Sequence, residues 1–254
     1  MSELPVVSAQ NISKSFRQNS GESLEVLRDI SFDIMQNEIV AVIGHSGCGK
    51  TTLLRIVCSL EAADGGFVLL DGAKCVKPCK DVLMLFQDFN QLLPWKTVLG
   101  NVTHPLVVTK TILSREDAKK HALKRIAEVG LTGFEGSYPH QLSGGMKQRT
   151  AVARALALQP RVLLMDEPFA SLDNITRGTL QALTHGVCEK YGITTLFVTH
   201  SVEEAVVMSD RIIVMSKNPG RIKAILANTE RNAPPECRAE FAAEILKLLD
   251  SQED

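Results

Sequence analysis

The chain has 254 residues, enough for one large domain or two small ones, with 44% hydrophobic and 22% charged residues, the balance of a folded globular protein. Lys and Arg total 28 against 29 Asp and Glu, a net charge of -1, which excludes a global basic field for nucleic acid and makes any phosphate binding local. No apolar stretch approaches the ~18 residues needed to cross a bilayer, and the opening "MSELPVVSAQN" has no basic start followed by an apolar run. The sequence therefore reads as that of a cytosolic protein.

The first 35 residues alternate between apolar and polar and contain the turn-like "RQNSGES", a pattern that predicts a small antiparallel sheet. Within it lies Phe16, in the polar setting "SKSFRQ". Its ring can stack on a nucleotide base, and core packing is the competing role.

Four continuous apolar runs follow along the chain: "EIVAVIG", "RVLLMDE", "TTLFVTH" and "DRIIVMS". Such runs suit strands of a parallel sheet covered on both faces, with helices between, so the fold class is α/β. The first run leads into "GHSGCGKT", which matches G-x-x-x-x-G-K-[ST] after a strand and before the helix start "TLLRIV". Glycines let backbone amides approach phosphate oxygens, and the following helix directs its positive end at them. Gly44, His45, Ser46, Gly47, Cys48, Gly49, Lys50, Thr51 and Thr52 form this candidate cradle; Lys50 suits the β- and γ-oxygens and the Thr51 hydroxyl suits Mg²⁺.

Gln87 ends "VLMLFQ", and its neutral amide can contact both Mg²⁺ and an attacking water. From residue 88 to 158 the pattern turns helical and reads as an inserted subdomain. One helix opens at Ser114, where Asp117 completes a capping-box pattern, and closes at Gly130. Another runs through "MKQRTAVARALAL" to Pro160 and starts in "LSGGMKQR". There Ser143, Gly144 and Gly145 make a second helix-start anion site without the P-loop lysine or a magnesium ligand.

At the end of "RVLLMDE", Asp166 can anchor Mg²⁺, and Glu167 can act as general base or water-positioner. His200 ends the third run, where it can donate to a γ-phosphate or serve as a structural residue. Ser201 with Glu204 marks a further capped helix. In the tail, Phe241, Ile245, Leu248 and Leu249 share one helical face, which packs on its own domain or meets a partner. The six cysteines lack zinc-finger or disulfide-scaffold spacing and read as reduced thiols, Cys75 and Cys79 included.

In this order the motifs resemble those of the ATP-binding-cassette ATPases, over nearly the whole chain. Residues 44–51 match the Walker A loop, Gln87 the Q-loop and residues 142–148 the signature. Residues 165–167 match the end of Walker B, residues 171–173, with Asp173, the D-loop, and His200 the switch histidine. The resemblance implies a single ATPase domain, with residues 1–87 and 159–216 as nucleotide-binding core, 88–158 as helical subdomain and 217–254 as tail. It also implies ATP and Mg²⁺ as ligands, with Asp173 among the nucleotide-binding residues, and a head-to-tail dimer in which the signature residues Ser143, Gly144 and Gly145 serve the partner's ATP.

A narrower resemblance, to the nitrate, sulfonate and taurine importer branch, rests on "FQDFNQLLPWKTVLGNV" and "NPGRI". It implies transmembrane permease subunits as partners, with Leu93, Pro94 and Trp95 lining the groove that receives a coupling helix. A solute-binding protein acts indirectly, and the chain works at the cytoplasmic face of the inner membrane. Trp95 as core filler of the helical subdomain is the other reading. "CSLEAADGG" departs from the branch's usual "AGL" and proline-containing turn, and Lys147 stands where Arg is common. The alternative function is a soluble cassette ATPase acting on nucleic acid or ribosomes, but the long coiled coil, tandem cassette or basic surface expected of one is not in this sequence. A small-molecule P-loop kinase would leave the signature and Gln87 without a role.

Overall fold

A computed structural model of the chain describes residues 4–17, 21–87, 91–112, 114–170 and 172–251. Residues 18–20 of the expected turn, 88–90 of the stretch after Gln87, and Ser171 of the D-loop match lie outside the described residues. In chain order the elements are β1 (Val7–Arg17), β2 (Ser23–Ile34), β3 (Ile39–Ile43), α1 (Lys50–Val57), β4 (Gly65–Leu70), β5 (Ala73–Lys74) and β6 (Val82–Leu85). Then come α2 (Val98–Val108), α3 (Arg115–Glu128), α4 (Gly144–Ala157), β7 (Val162–Asp166), α5 (Asn174–Tyr191), β8 (Thr194–Thr199), α6 (Val202–Met208), β9 (Arg211–Met215), β10 (Ile222–Ala227) and α7 (Pro235–Asp250). They divide into two compact units, Met1–Cys79 with Thr194–Asp254, and Lys80–Ile193.

In the first unit, three of the four apolar runs become β3, β8 and β9. Every residue of β3 and β8 is buried, as is all of β9 after Arg211. β3 pairs in parallel with β8 on one side and β9 on the other, and β10 closes that edge antiparallel to β9. Buried on both faces, these strands have no polar face to alternate with, which explains their unbroken apolar sequence. α1 packs near β8, and α6 lies against β3 and β8. Ser201 caps α6 by accepting from the Glu204 amide at 3.3 Å, and the Thr199 hydroxyl donates to the buried Glu204 carboxylate at 2.6 Å. α7 packs on α6 and β9 with Ile245 fully buried, so the tail's apolar stripe covers its own unit. The Lys223 ammonium caps the end of α7 through the carbonyls of Leu248, Leu249 and Ser251.

The antiparallel sheet has the order β2-β1-β4-β5. Only its first two strands fall within the first 35 residues; β4 joins β1 across more than fifty intervening residues, Val7 pairing with Leu70.

In the second unit, β6 and β7 pair in parallel, with Leu85 beside Met165. α2 packs on α3 and α4, and α4 on α5 and β6. Ser114 caps α3, accepting from the Asp117 amide, and the chain turns out of that helix through Val129 and Gly130. The end of α3 is tied to the end of α5 by Glu128. Its carboxylate accepts from Arg125 at 2.8 Å, from Lys190 at 3.0 Å and from the Tyr191 hydroxyl. Burial works to raise the Glu128 pKa, but these three donors overcome it and hold the carboxyl at about 2.

Candidate functional site

In the first unit, six residues separate the end of β3 from the start of α1. Gly47 at φ 80° and Gly49 at φ 95° turn the backbone through the left-handed region, and Gly49 caps the helix. The rim residues His45, Ser46 and Gly47 are exposed, whereas Gly44, Cys48 and Lys50 form a buried floor. Lys50 lies across the loop with Nζ donating to the carbonyls of Gly44 at 2.7 Å and His45 at 3.2 Å. Thr51 and Thr52 are half-buried in the first turn of α1. Burial pushes the Cys48 thiol up, so it stays protonated at neutral pH. At the rim, Asp250 of α7 sits 3.8 Å from His45 Nε2.

This arrangement fits a polyphosphate. A lysine is held at the floor of a glycine-turned loop, the rim is open, and a helix start directs its amides and dipole into the loop. A Cβ at Gly47 would meet nothing within 4 Å, so the loop is open on that side.

Sheet register places His200. Ile43 pairs with Thr199, so the exposed His200 follows at the level of Gly44, the first residue of the loop. The "NPGRI" stretch also reaches this region: the Gly220 amide donates to the Val26 carbonyl at 2.9 Å and its carbonyl accepts from Arg28 at 3.0 Å, which fastens it to β2. Phe16 is not a core residue. It is 39% exposed near the end of β1, and the Lys14 ammonium lies 5.1 Å from its ring centroid. Lys14 had no signal in the sequence, because a lysine between two serines in an alternating strand looks like any solvated side chain.

In the second unit, the register of β6 and β7 continues past Leu85 and Met165 to put Gln87 level with Glu167, and Gln87 Nε2 donates to Glu167 Oε2 at 3.2 Å. Glu167 has φ 43°, a left-handed conformation uncommon for a side-chain-bearing residue and enriched at functional sites. Asp166 before it is a buried carboxylate, 5% exposed. Asp166 and Gln87, like Thr51 of the first unit, offer oxygen donors, the set that a hard ion such as Mg²⁺ prefers.

Ser143 is the N-cap of α4, its Oγ accepting from the Met146 amide at 3.3 Å. That leaves its O–H to donate, while Gly144 and Gly145 fill the first turn. Gly145 is also required by packing, since Thr176 Cγ2 lies 2.6 Å from where a Cβ would stand. Asp173 caps α5, accepting from the Thr176 amide at 3.0 Å, a hydrogen bond that lowers its carboxyl pKa. Trp95 is 70% exposed, so it does not fill the core of this unit. Its loop is held by Asn101, fully buried, which accepts from the Leu93 amide and donates to the carbonyls of Leu93, Lys96 and Thr97.

The family model described as "ABC transporter" matches residues 27–170. An uncharacterized ABC transporter ATP-binding protein of Methanocaldococcus jannaschii is 44% identical over 245 residues, 96% of this chain and 90% of that protein. The aliphatic sulfonates import ATP-binding protein SsuB of Bacillus cereus is 41% identical over 223 residues, 87% of this chain and 86% of SsuB. The bicarbonate transport ATP-binding protein CmpC of Synechocystis sp. is 43% identical over 216 residues, 84% of this chain but 32% of CmpC, so this chain spans about a third of that protein's length. Among solved structures, a dimeric ATP-binding cassette in a post-hydrolysis state bound to ADP and Pi superposes with a TM-score of 0.77 at 31% identity, covering 87% of this chain and 98% of that one. Among the described residues, no helix is long and apolar enough to cross a membrane.

Proposed function

The chain belongs to the ABC transporter family, as an ATP-binding protein whose ATPase activity is coupled to transport, and on that premise we propose that it drives an importer for a small oxyanion. The sulfonate and bicarbonate named for its relatives are both small oxyanions, which supports this substrate class. The observation that carries the reading is the 44–52 loop, with buried Lys50 at its floor.

Lys50 would exchange its carbonyl partners for β- and γ-phosphate oxygens, and the amides from Ser46 to Thr52 would wrap the phosphates. Phe16 would stack on adenine. Thr51, Asp166 and Gln87 would hold Mg²⁺. When bound, that ion neutralises charge on the phosphate oxygens. Glu167 would take the proton of the attacking water, oriented with help from Gln87, whose amide already donates to its carboxylate. His200 would donate to the γ-phosphate. Ser143, Gly144, Gly145 and Asp173 would serve the ATP of a second copy arranged head to tail, a reading supported by the dimeric cassette noted above. Closure of that dimer would drive permease subunits at the cytoplasmic face of the membrane, with Leu93, Pro94 and Trp95 contacting them and hydrolysis resetting the pair.

A mixed dimer tests the arrangement. Ser143→Arg in one subunit and Lys50→Ala in the other leave one lesion-free site only if the signature acts in trans, so mixing two inactive homodimers should restore up to one site's worth of ATPase activity. If hydrolysis needs two intact sites, one occluded ATP per mixed dimer is the equivalent result. Neither activity nor occluded ATP on mixing contradicts the trans arrangement.

A further inference from the structure

The turn that departs from the importer branch, "CSLEAADGG", holds a lysine against the proposed base platform. Lys14 is buried, with a side chain 10% exposed, and its three ammonium protons have three acceptors: Ala62 O at 2.7 Å, Glu61 Oε1 at 2.8 Å and Asp64 Oδ1 at 3.3 Å. The clamp is doubled by the backbone. Asp64 Oδ2 accepts from the Ser15 amide at 2.7 Å and the Asp64 amide donates to the Ser13 carbonyl at 2.9 Å, so the turn is fastened to β1 on both sides of Lys14. Residues two apart on a strand share a face, which puts the Lys14 ammonium over the Phe16 ring at 5.1 Å.

The strand pair that carries this ring also borders the phosphate loop. Lys14 and Phe16 pair with Leu27 and Leu24 of β2. Leu27 Cδ2 lies 2.6 Å and Val26 Cγ1 3.0 Å from where a Cβ on Gly49 would stand. Leu24 and Val26 are two residues apart along β2, whose register with β1 shifts between Leu27 and Glu25. The ring therefore stands on the same ribbon that walls the cradle.

We propose that Lys14 is a positioning residue for the nucleotide base: clamped by the 61–64 turn over one face of the Phe16 ring, it fixes that ring as the platform on whose other face adenine stacks. The inference rests on the reading of Phe16 as the base platform. A fully bonded ammonium cannot wander, so the ring is held in one orientation before nucleotide arrives and less freedom is lost on binding. The cation also draws on the ring's negative face, which eases the approach of a second π-system from the opposite side.

Lys14→Met keeps the aliphatic stem and removes the charge. It should raise the KM for ATP about fivefold, about 1 kcal/mol, with kcat within about twofold and the affinity for inorganic tripolyphosphate unchanged, since tripolyphosphate has no base. Lys14→Arg should restore most of the loss. Glu61→Gln, which keeps Lys14 and loosens its clamp, should shift KM in the same direction by less. Phe16→Leu should cost about tenfold in ATP affinity, and in that background Lys14→Met should add nothing. Should Lys14→Met leave the KM for ATP unchanged, or weaken ATP and tripolyphosphate equally, Lys14 is only a staple between turn and strand and the proposal is overturned while Phe16 keeps its role. A Phe16→Leu variant with wild-type ATP affinity overturns the platform itself, and the inference with it.

Discussion

Gly49→Ala isolates what the phosphate loop owes to packing. At φ 95° a residue with a Cβ is strained by about 1–2 kcal/mol. The new methyl would also stand 2.6 Å from Leu27 Cδ2, 3.0 Å from Val26 Cγ1 and 3.2 Å from the Val26 carbonyl, against about 3.5–4.0 Å for relaxed carbon contacts. Leu27 is fully buried and has nowhere to move, so overpacking adds about 1–3 kcal/mol. Together these give about 2–5 kcal/mol, or about 4–20 °C in Tm for a chain of this size. Gly47→Ala is the control. It has the backbone strain of φ 80° and no contact within 4 Å, so its Tm should fall by only about 2–8 °C. Saturating ATP should separate the two again. The wild type gains about 2.7 kcal/mol at a hundredfold excess over Kd, and Gly47→Ala should lose most of that gain because its methyl enters the cradle. Thermal unfolding followed by circular dichroism, with and without ATP, reads both effects. Equal Tm losses for the two variants, or an intact ATP shift in Gly47→Ala, would refute the division of labour between the two glycines.

Trp95→Ala should leave the isolated ATPase and Tm unchanged, because the side chain is 70% exposed on a loop held by Asn101; in liposomes with the permease it should hydrolyse ATP without matching uptake, and a large Tm loss would contradict this. Glu128→Ala leaves Arg125, 1% exposed, without its carboxylate partner, which costs about 3 kcal/mol, read as a Tm loss at pH 7. Because the Glu128 pKa is depressed to about 2, the carboxylate stabilises fully above its unfolded value near 4.3 and the benefit is lost as pH falls through about 2. The Tm gap between wild type and variant should therefore narrow between pH 5 and pH 2, and a constant gap would show that charge is not the cause.

The elements most legible in the sequence were those whose physics is local. β3, β7, β8 and β9 are buried on both faces and so appear as unbroken apolar runs, and Ser114 and Ser201 announce their helices because capping acts over three residues. β4 was not legible, because its pairing with β1 is set by contacts far along the chain; nor was β5, which is only two residues long and pairs with β4 alone. Nor was β10, a half-exposed edge strand whose "IKAILA" has neither clean alternation nor a solid apolar run. In the site, residue types and spacing pointed to Lys50, Asp166, Glu167 and Gln87. The left-handed backbone at Glu167 and the hold of Asn101 on the Trp95 loop left no trace in composition or period, since each depends on the three-dimensional course of a loop.

The most direct measurement is ATP turnover and ATP retention by Glu167→Gln beside the wild type. The substitution keeps the size of the side chain and removes the base. Hydrolysis should fall by about 10²–10⁴-fold, while ATP stays bound and accumulates in a closed dimer that light scattering detects at twice the protomer mass. Hydrolysis near the wild-type rate, or a variant that neither binds ATP nor dimerises, would contradict the account at its centre.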